Sequence, residues 1–414
     1  MRERTHRPPK LRKRHIRKGW RQTRSQLNYI LVQSYFSSKE KENSAEWHES
    51  NGQKYLDVHA SDYYSLGLME GSELGAKIRA MKLIIKTIAV KTRQAEYTYK
   101  HFLEMAREYE DSIPDEYLRD SYKIGTFIDE IQGMADSLNG ISFEDIFLQN
   151  CFIDIVYGEL IPFGARIPQD YDFGCTSMGI FYYSLDKSPP QVLIGQNFDF
   201  NITFKPTLSF VLHKVANHPR IFSLRLGGML SIPTGLNEWG LYSCINVVKT
   251  NISANYTIPS GVLSRLAFTF CKDVESAYNL VYQQPASNGY NLMFRDPSKI
   301  IACETLPLEH NRYDIGSWFA TSNTFIDEKF QQYLVLPNYS KDRQRLGESL
   351  LKEAYDNHPN LKTIPSLLAK KPIICRTPLN VAESRTLAFL TNDYFGIGNP
   401  ADHPWGFIPL EIPH

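Results

Sequence analysis

The chain has no run approaching 18 apolar residues, so no segment reads as a membrane-spanning helix. No apolar segment of about 7–15 residues follows the basic start, which argues against a secretory signal peptide. Its six cysteines, at 151, 175, 244, 271, 303 and 375, form no C-x-x-C pair and have no histidine at ligand spacing. That spacing excludes the usual zinc patterns and leaves neither a metal nor a cofactor to be expected. Internal repeats are missing, and so is net charge. Against 46 Lys and Arg stand 45 Asp and Glu, a balance of +1 that favours neither nucleic acid nor membrane as a partner. These absences describe a soluble, cytoplasmic protein with reduced thiols, most of them small buried hydrophobes.

What is present is the material of a core. The 414 residues are 42% hydrophobic and 13% aromatic, enough for a globular fold. Charge is unevenly spread: residues 1–24 hold eleven Lys or Arg and one Glu, so the remaining 390 carry 35 basic against 44 acidic residues, a net −9. This leader and the polar stretch after it lack periodicity, so residues 1–54 read as an exposed, partly disordered extension. A single domain is expected over 55–414.

Apolar residues recur at three- and four-residue steps from about 62 to 110, the mark of amphipathic helices, and a second helical block runs from about 114 to 157. Ser142-Phe143-Glu144-Asp145 has the form of a capping box. The period then changes. Residues 176–184, 191–200, 207–214, 221–226 and 241–248 are short β-rich runs separated by turn residues. Further on, 262–284 reads as helix, 290–305 and 313–325 as strands, 340–356 as a helix with Arg343, Arg345 and Lys352 on its polar face, and 385–392 as strand. This order predicts an α+β architecture of two mainly antiparallel sheets between helical layers.

The sharpest local feature is Asp172-Phe173-Gly174-Cys175-Thr176-Ser177, where helix gives way to strand. A thiol directly after a glycine carbonyl can attack it, because glycine tolerates strained backbone and has no side chain to block the approach. The α-amine freed at Cys175, with an ordinary pKa near 7.7–8.0, could then act as base for its own thiol, with no catalytic histidine. Taken alone, Gly-Cys-Thr also fits a buried structural cysteine. In Gly195-Gln196-Asn197-Phe198-Asp199-Phe200, strand alternation puts Gly195, Asn197 and Asp199 on one face and Ile194 and Phe198 on the other. If 176–184 and 191–200 pair about the Lys187-Ser188-Pro189-Pro190 turn, Asp199 lies across from Thr176 to within two residues, a carboxylate beside the proposed amine. A surface strand with polar outward residues gives the same pattern. Asn246 and Asn323 end strand-like runs; an amide there can donate to an oxyanion or simply make a turn.

Together, Gly174-Cys175-Thr176-Ser177, Gly195-Gln196-Asn197-Phe198-Asp199-Phe200 and Ser384-Arg385 resemble the acyl-coenzyme A:6-aminopenicillanic acid acyltransferase (isopenicillin N acyltransferase) family of autoproteolytic Ntn hydrolases. The likeness extends from about Tyr55 to Ile397 and includes Gly67 and Glu70-Gly71 in the helical part. It implies a four-layer αββα fold with self-cleavage after Gly174, leaving residues 175–414 as a second chain. It also implies Cys175 as nucleophile, Asp199 as the motif aspartate, Asn323 as oxyanion donor, and Ser384 and Arg385 beside the nucleophile. Asn246 matches an oxyanion asparagine of the related bile-salt hydrolases, whose Asn-Glu-x-Gly-Leu turn is echoed by Asn237-Glu238-Trp239-Gly240-Leu241. Two positions depart from the pattern: Thr321-Ser322-Asn323-Thr324 stands where the penicillin enzyme has Thr-Asn-His, and Phe173 precedes the glycine in place of a polar residue.

The resemblance implies an enzyme acting on an amide or thioester through a Cys175 acyl-enzyme, with a small-molecule acyl amide or acyl-CoA-like thioester as substrate and no membrane partner. Water as acceptor gives an amidohydrolase and an amine gives an acyltransferase. The aromatics Phe173, Phe181, Tyr182, Tyr183, Phe198, Phe200 and Trp239 suit an apolar acyl group or a plain core. A homo-oligomer is compatible with the sequence. The alternative from another class is a non-catalytic binding protein on the same fold, its basic leader docking nucleic acid or an acidic partner.

Overall fold

A computed structural model describes residues 43–92, 98–113, 125–165, 173–182, 191–232, 234–252, 256–307, 309–335, 338–370, 373–374, 383–390, 394–398 and 406–409. The basic leader, the expected 187–190 turn, Tyr183 and Cys375 lie outside the described residues. Strands β1 (Ser44–Ser50) and β2 (Gln53–Ala60) open the fold, so regular structure starts before Tyr55. The side chains of β1 are mostly exposed, which is why its sequence has the polar look of an extension.

Four helices follow: α1 (Tyr63–Lys91), α2 (Tyr99–Ser112), α3 (Gly125–Asp136) and α4 (Phe143–Asp154), the last continuing into a π-helical turn at Ile155–Leu160. Asp62 caps α1 by accepting from the Ser65 N–H at 2.7 Å. The predicted capping box forms on α4: the Asp145 N–H donates to Ser142 Oγ at 3.2 Å and the Ser142 N–H to Asp145 Oδ2 at 2.9 Å. These bonds satisfy amides that a helix start leaves without partners.

α1 and α3 cross almost backbone to backbone because glycines face each other. A Cβ on Gly67 would stand 2.0 Å from the Glu130 carbonyl oxygen, and one on Gly133 would stand 2.3 Å from that of Tyr64. The crossing buries Glu70 and Glu130 beside two arginines of the later chain. Arg225 Nη1 lies 2.6 Å from Glu70 and 3.2 Å from Glu130, and Arg265 Nη2 lies 2.6 Å from Glu130. Burial pushes the Glu70 carboxyl up to about 8, although Arg225 opposes it. The arginines offset part of the cost of burying the two carboxyl groups, so loss of one member would be costly.

The rest of the chain builds two sheets. The first orders its strands β1-β2-β5-β6-β7-β8-β9-β10-β11, with β5 (Leu208–Val215), β6 (Ile221–Leu226), β7 (Gly235–Asn237), β8 (Tyr242–Val248), β9 (Gly289–Arg295), β10 (Ile300–Leu306) and β11 (Glu309–Ile315). The second runs β12-β3-β4-β13-β14-β15, with β3 (Phe173–Tyr182), β4 (Gln191–Asn201), β12 (Trp318–Thr321), β13 (Glu383–Leu390), β14 (Tyr394–Gly398) and β15 (Gly406–Pro409). β2 pairs with β5 in parallel, and the pairs from β5 to β11 and throughout the smaller sheet are antiparallel. The region read as one helix over 262–284 is two, α5 (Ser260–Phe270) and α6 (Val274–Tyr282), because Asp273 caps a fresh start. Likewise 290–305 and 313–325 each resolve into more than one element, since turns interrupt the apolar pattern.

Helices α1, α5 and α6 cover the outer face of the larger sheet, whose inner face meets the smaller sheet through β8 and β3. Helices α7 (Asn338–Asp356) and α8 (Thr363–Leu368) cover the far side of the smaller sheet, packing Leu351, Ile364 and Leu368 on Met178, Ile180 and Leu193. The order is helix, sheet, sheet, helix, the αββα arrangement expected. Among the described residues no helix is long and apolar enough to cross a membrane.

Candidate active site

Cys175 sits at the start of β3, between the sheets and 1% exposed. β12 pairs with β3 only from Ser177 to Ile180, so the backbone groups of Cys175 on that edge lie past the end of the ladder. Side chains take the place of a strand. The Cys175 N–H donates to Asn323 Oδ1 at 2.6 Å, and Arg343 Nη1 donates to the Cys175 carbonyl oxygen. The same guanidinium reaches Thr176 Oγ1 at 2.9 Å, Asn323 Oδ1 at 2.8 Å and Ser340 Oγ at 3.1 Å. Asn323 Nδ2 is engaged with the Val247 carbonyl at 2.7 Å.

On β4, Gly174 pairs with Asp199, Cys175 with Phe198 and Thr176 with Asn197. The register is two residues from the expected pairing of Asp199 with Thr176, a shift that keeps the same face. On its other edge β4 pairs with β13, with Arg385 opposite Asp199 and Ser384 opposite Phe200. Gly174, Asp199 and Arg385 thus form one row across three strands, and the side chains of Ser384 and Arg385 lie outside the described residues. The polar face of β4 is not turned to solvent. Asn197 and Asp199 are 0% and 1% exposed, and Asn197 Nδ2 donates to the Leu368 and Ile374 carbonyls at 2.8 and 3.2 Å. A strand covered on both faces must bury polar groups with partners.

The opposite face of β4 carries Gln196, level with Ser177 and directed at β8. Gln196 Nε2 donates to the Ile245 carbonyl at 2.6 Å and to Asn246 Oδ1 at 3.0 Å, while its own Oε1 accepts from Thr234 Oγ1. Ser177 Oγ donates to Asn246 Oδ1 at 2.9 Å. With its oxygen doubly bonded, Asn246 is fixed in orientation. Its buried Nδ2 has no hydrogen-bond partner among the described residues.

Burial pushes the Cys175 thiol far above the usual thiol range, and the Asp199 carboxylate adds to the shift while Arg343 opposes it. In the intact chain the thiol is therefore protonated, and attack requires a base. The groups that act on it most strongly are Asp199, Arg343, Asn323 and Cys244, none of them an imidazole. The described cysteines are all free and buried.

The turn at Asn237–Leu241 is built as its sequence suggests. Asn237 Oδ1 accepts from the Trp239 and Leu241 N–H groups, each at 3.1 Å, and Gly240 takes a φ of 82° that other residues avoid. Of the aromatics, Phe181, Tyr182, Phe198 and Phe200 are buried, while Trp239 lies under the Lys272 ammonium, 5.3 Å from the ring centroid.

Arg343, Gln196, Ser177 and Thr176 escaped the sequence reading as site residues. For Arg343 the signal was available. At 3.6 residues per turn Arg345 and Lys352 fall about 200° and 180° around the helix from it, which places Arg343 with Leu346, Gly347 and Leu350. The polar-face assignment holds for the exposed Arg345 and Lys352 and fails for Arg343, which is 2% exposed.

Comparison with known proteins adds a family. No curated protein matches the chain. Among solved structures, a Caenorhabditis elegans N-acylethanolamine-hydrolyzing acid amidase ortholog matches with 15% identity and a TM-score of 0.40, over 57% of this chain and 100% of its own. The sequence profile of the acyl-coenzyme A:6-aminopenicillanic acid acyl-transferases matches residues 186–393, half of the chain. That stretch contains Gln196, Asp199, Asn246, Asn323, Arg343, Ser384 and Arg385, and it starts eleven residues after Cys175. The chain belongs to the acyl-coenzyme A:6-aminopenicillanic acid acyl-transferase family.

Proposed function

We propose that this protein is a cysteine-type Ntn hydrolase that cuts its own chain between Gly174 and Cys175 and then hydrolyses a linear amide of an apolar acyl group through a Cys175 acyl-enzyme. The observation that carries the reading is the tether of the Cys175 backbone nitrogen. It is bonded to the side chain of Asn323 and not to a neighbouring strand. An amine can therefore be freed there without breaking a ladder on that edge.

Cys175 Sγ adds to the Gly174 carbonyl carbon, the C–N bond breaks, and the thiol proton ends on the Cys175 nitrogen. Water then adds to the thioester and breaks the C–S bond, releasing the Gly174 carboxylate and restoring the thiol. In turnover the new α-amine takes the thiol proton, Cys175 Sγ adds to the substrate carbonyl, and the leaving amine recovers that proton. The acyl group leaves Cys175 on water; with a second amine in its place the same intermediate makes the protein an acyltransferase.

The two asparagines divide the work. Asn246, its oxygen held by Ser177 and Gln196, has the free N–H to meet the oxyanion. Asn323 Oδ1 holds the amine, with Asp199 supplying the negative field from the row beside Gly174 and Arg385 next in that row. Arg343 fixes the Cys175 carbonyl. With Cys175 almost fully covered, the intact chain is closed to substrate, as a zymogen would be.

Intact-mass spectrometry of the purified protein beside Cys175→Ala tests the reading. Two fragments dividing at Gly174 and Cys175 in the wild type, with one full-length mass in the variant, support it. A single full-length mass in both removes self-cleavage and brings the binding-protein alternative forward.

A further inference from the structure

A row of polar side chains crosses the inner face of the larger sheet, and its bonds converge on the loop that presents Asn323. Asn246 on β8 pairs in register with Asn291 on β9, Asn291 with Glu304 on β10, and Glu304 with Asn311 on β11. Register partners share a face, so the four stand side by side. Asn291 Nδ2 donates to the carbonyl oxygens of Ser322 at 2.7 Å and Thr324 at 2.6 Å, the residues on either side of Asn323. Glu304 accepts from the N–H groups of Ile326 and Asp327, the latter at 2.9 Å, and from Tyr313 Oη at 2.8 Å. Asn311 Nδ2 donates to Asp327 Oδ2 at 2.7 Å.

We infer that Asn291 is a positioning residue for the reaction, acting through Asn323; this rests on the function proposed above. One amide nitrogen holds the peptide plane that leads into Asn323, through the Ser322 carbonyl, and the plane that follows Thr324, through the Thr324 carbonyl, so the loop is pinned on both sides of Asn323. Its Oδ1 is thereby held at hydrogen-bond distance from the Cys175 nitrogen, and the Glu304 carboxylate anchors the next turn of the loop so that the strain of a displaced Asn323 cannot relax forward. Asn291 and Glu304 are 2% and 1% exposed, so water cannot replace either readily. Asn291 touches no reacting atom. It sets where the atom that holds the amine lies, and a misplacement on the order of 1 Å can cost about 100-fold in rate.

The test is a double-mutant cycle on the rate of self-cleavage, followed by intact mass across pH 5–9, with Asn291→Ala, Asn323→Ala and the pair, and thermal unfolding of each as control. Asn291→Ala is expected to slow self-cleavage by about 10- to 100-fold, and the double variant to be no slower than Asn323→Ala alone, because both changes remove one device. Asn291→Asp adds a pH signature. Its ionised carboxylate repels the two carbonyls, and its protonated form donates to one of them, so cleavage should recover as pH falls. The alanine variant should not show that recovery. Additive effects in the cycle, or wild-type cleavage in Asn291→Ala, would overturn the inference. Wild-type cleavage in Asn323→Ala would instead overturn the role given to Asn323 in the proposed function. If Asn291→Ala fails to fold, Glu304→Gln carries the same cycle, with slowed cleavage that is non-additive with Asn323→Ala expected and additivity refuting.

Discussion

Replacing Arg343 with lysine should separate the shape of the guanidinium from its charge. Arg343 makes four hydrogen bonds from one buried fork, to the Cys175 carbonyl, Thr176 Oγ1, Asn323 Oδ1 and Ser340 Oγ. An ammonium keeps the charge but donates from a single point, and its shorter reach lets it serve about two of these acceptors. The two bonds lost are charge-assisted, each worth about 1.5–3 kcal/mol in net stability, so a loss of about 3 kcal/mol is the lower expectation. The functional effect should be larger than the stability effect suggests. Cys175 and Asn323 are tied to the same group, so freeing either disturbs the geometry at the Gly174–Cys175 bond, and the proposed self-cleavage should slow by about 100-fold. Denaturant titration gives the first quantity and a time course of intact mass gives the second. If Arg343→Lys unfolds at the wild-type midpoint and cleaves at the wild-type rate, the fork geometry is not what holds the site. Charge alone would then be the contribution of Arg343.

Asn246→Ala, which strips the acceptor from the Ser177 hydroxyl and from one Gln196 N–H, should cost about 1–3 kcal/mol of stability and reduce turnover by about 100-fold, and Ser177→Ala, which only loosens the orientation of Asn246, should cost about 10-fold; both rates are read from kcat on a fluorogenic acyl amide. Gly67→Ala forces a Cβ to 2.0 Å from the Glu130 carbonyl, so α1 and α3 must part, and a loss of about 1–3 kcal/mol or more is expected from thermal unfolding. Glu70 has its pKa raised from 4.5 to about 8 in the folded state, so the native protein holds a proton that the unfolded chain releases above 4.5. Its contribution to stability is therefore full below pH 4.5 and is lost as pH rises through about 8, with a slope of at most about 1.4 kcal/mol per pH unit. Unfolding midpoints from pH 4.5 to 8.5 should fall along this window in the wild type and flatten in Glu70→Gln.

Much of the local structure could be read from the chain because the causes are local. The Ser142–Asp145 capping box and the strands near 191–200, 221–226 and 241–248 each follow from a residue type meeting a backbone need within a few positions. Alternation along β4 also placed Asn197 and Asp199 on one face correctly. What it could not say is that this face would be covered. A buried strand and a surface strand with polar positions share one pattern until the layer above is known, and here Leu368 of α8 and Ile374 beyond it supply the carbonyls that Asn197 requires.

The sequence by itself determined the change from a helical to a β-rich part and the candidate groups for the chemistry: a Gly-Cys junction where helix yields to strand, an aspartate on the next strand and two asparagines further on. Only the tertiary structure decided which ends of those groups meet. It turned the oxygen of Asn323 and not its N–H2 toward Cys175, left the Asn246 donor open, and drew Arg343 from a helix 168 residues away onto the Cys175 carbonyl. The reason is geometric. A hydrogen bond depends on a few tenths of an ångström and on direction, and across distant elements those are set by the packing of sheets and helices, which no local pattern of residues encodes.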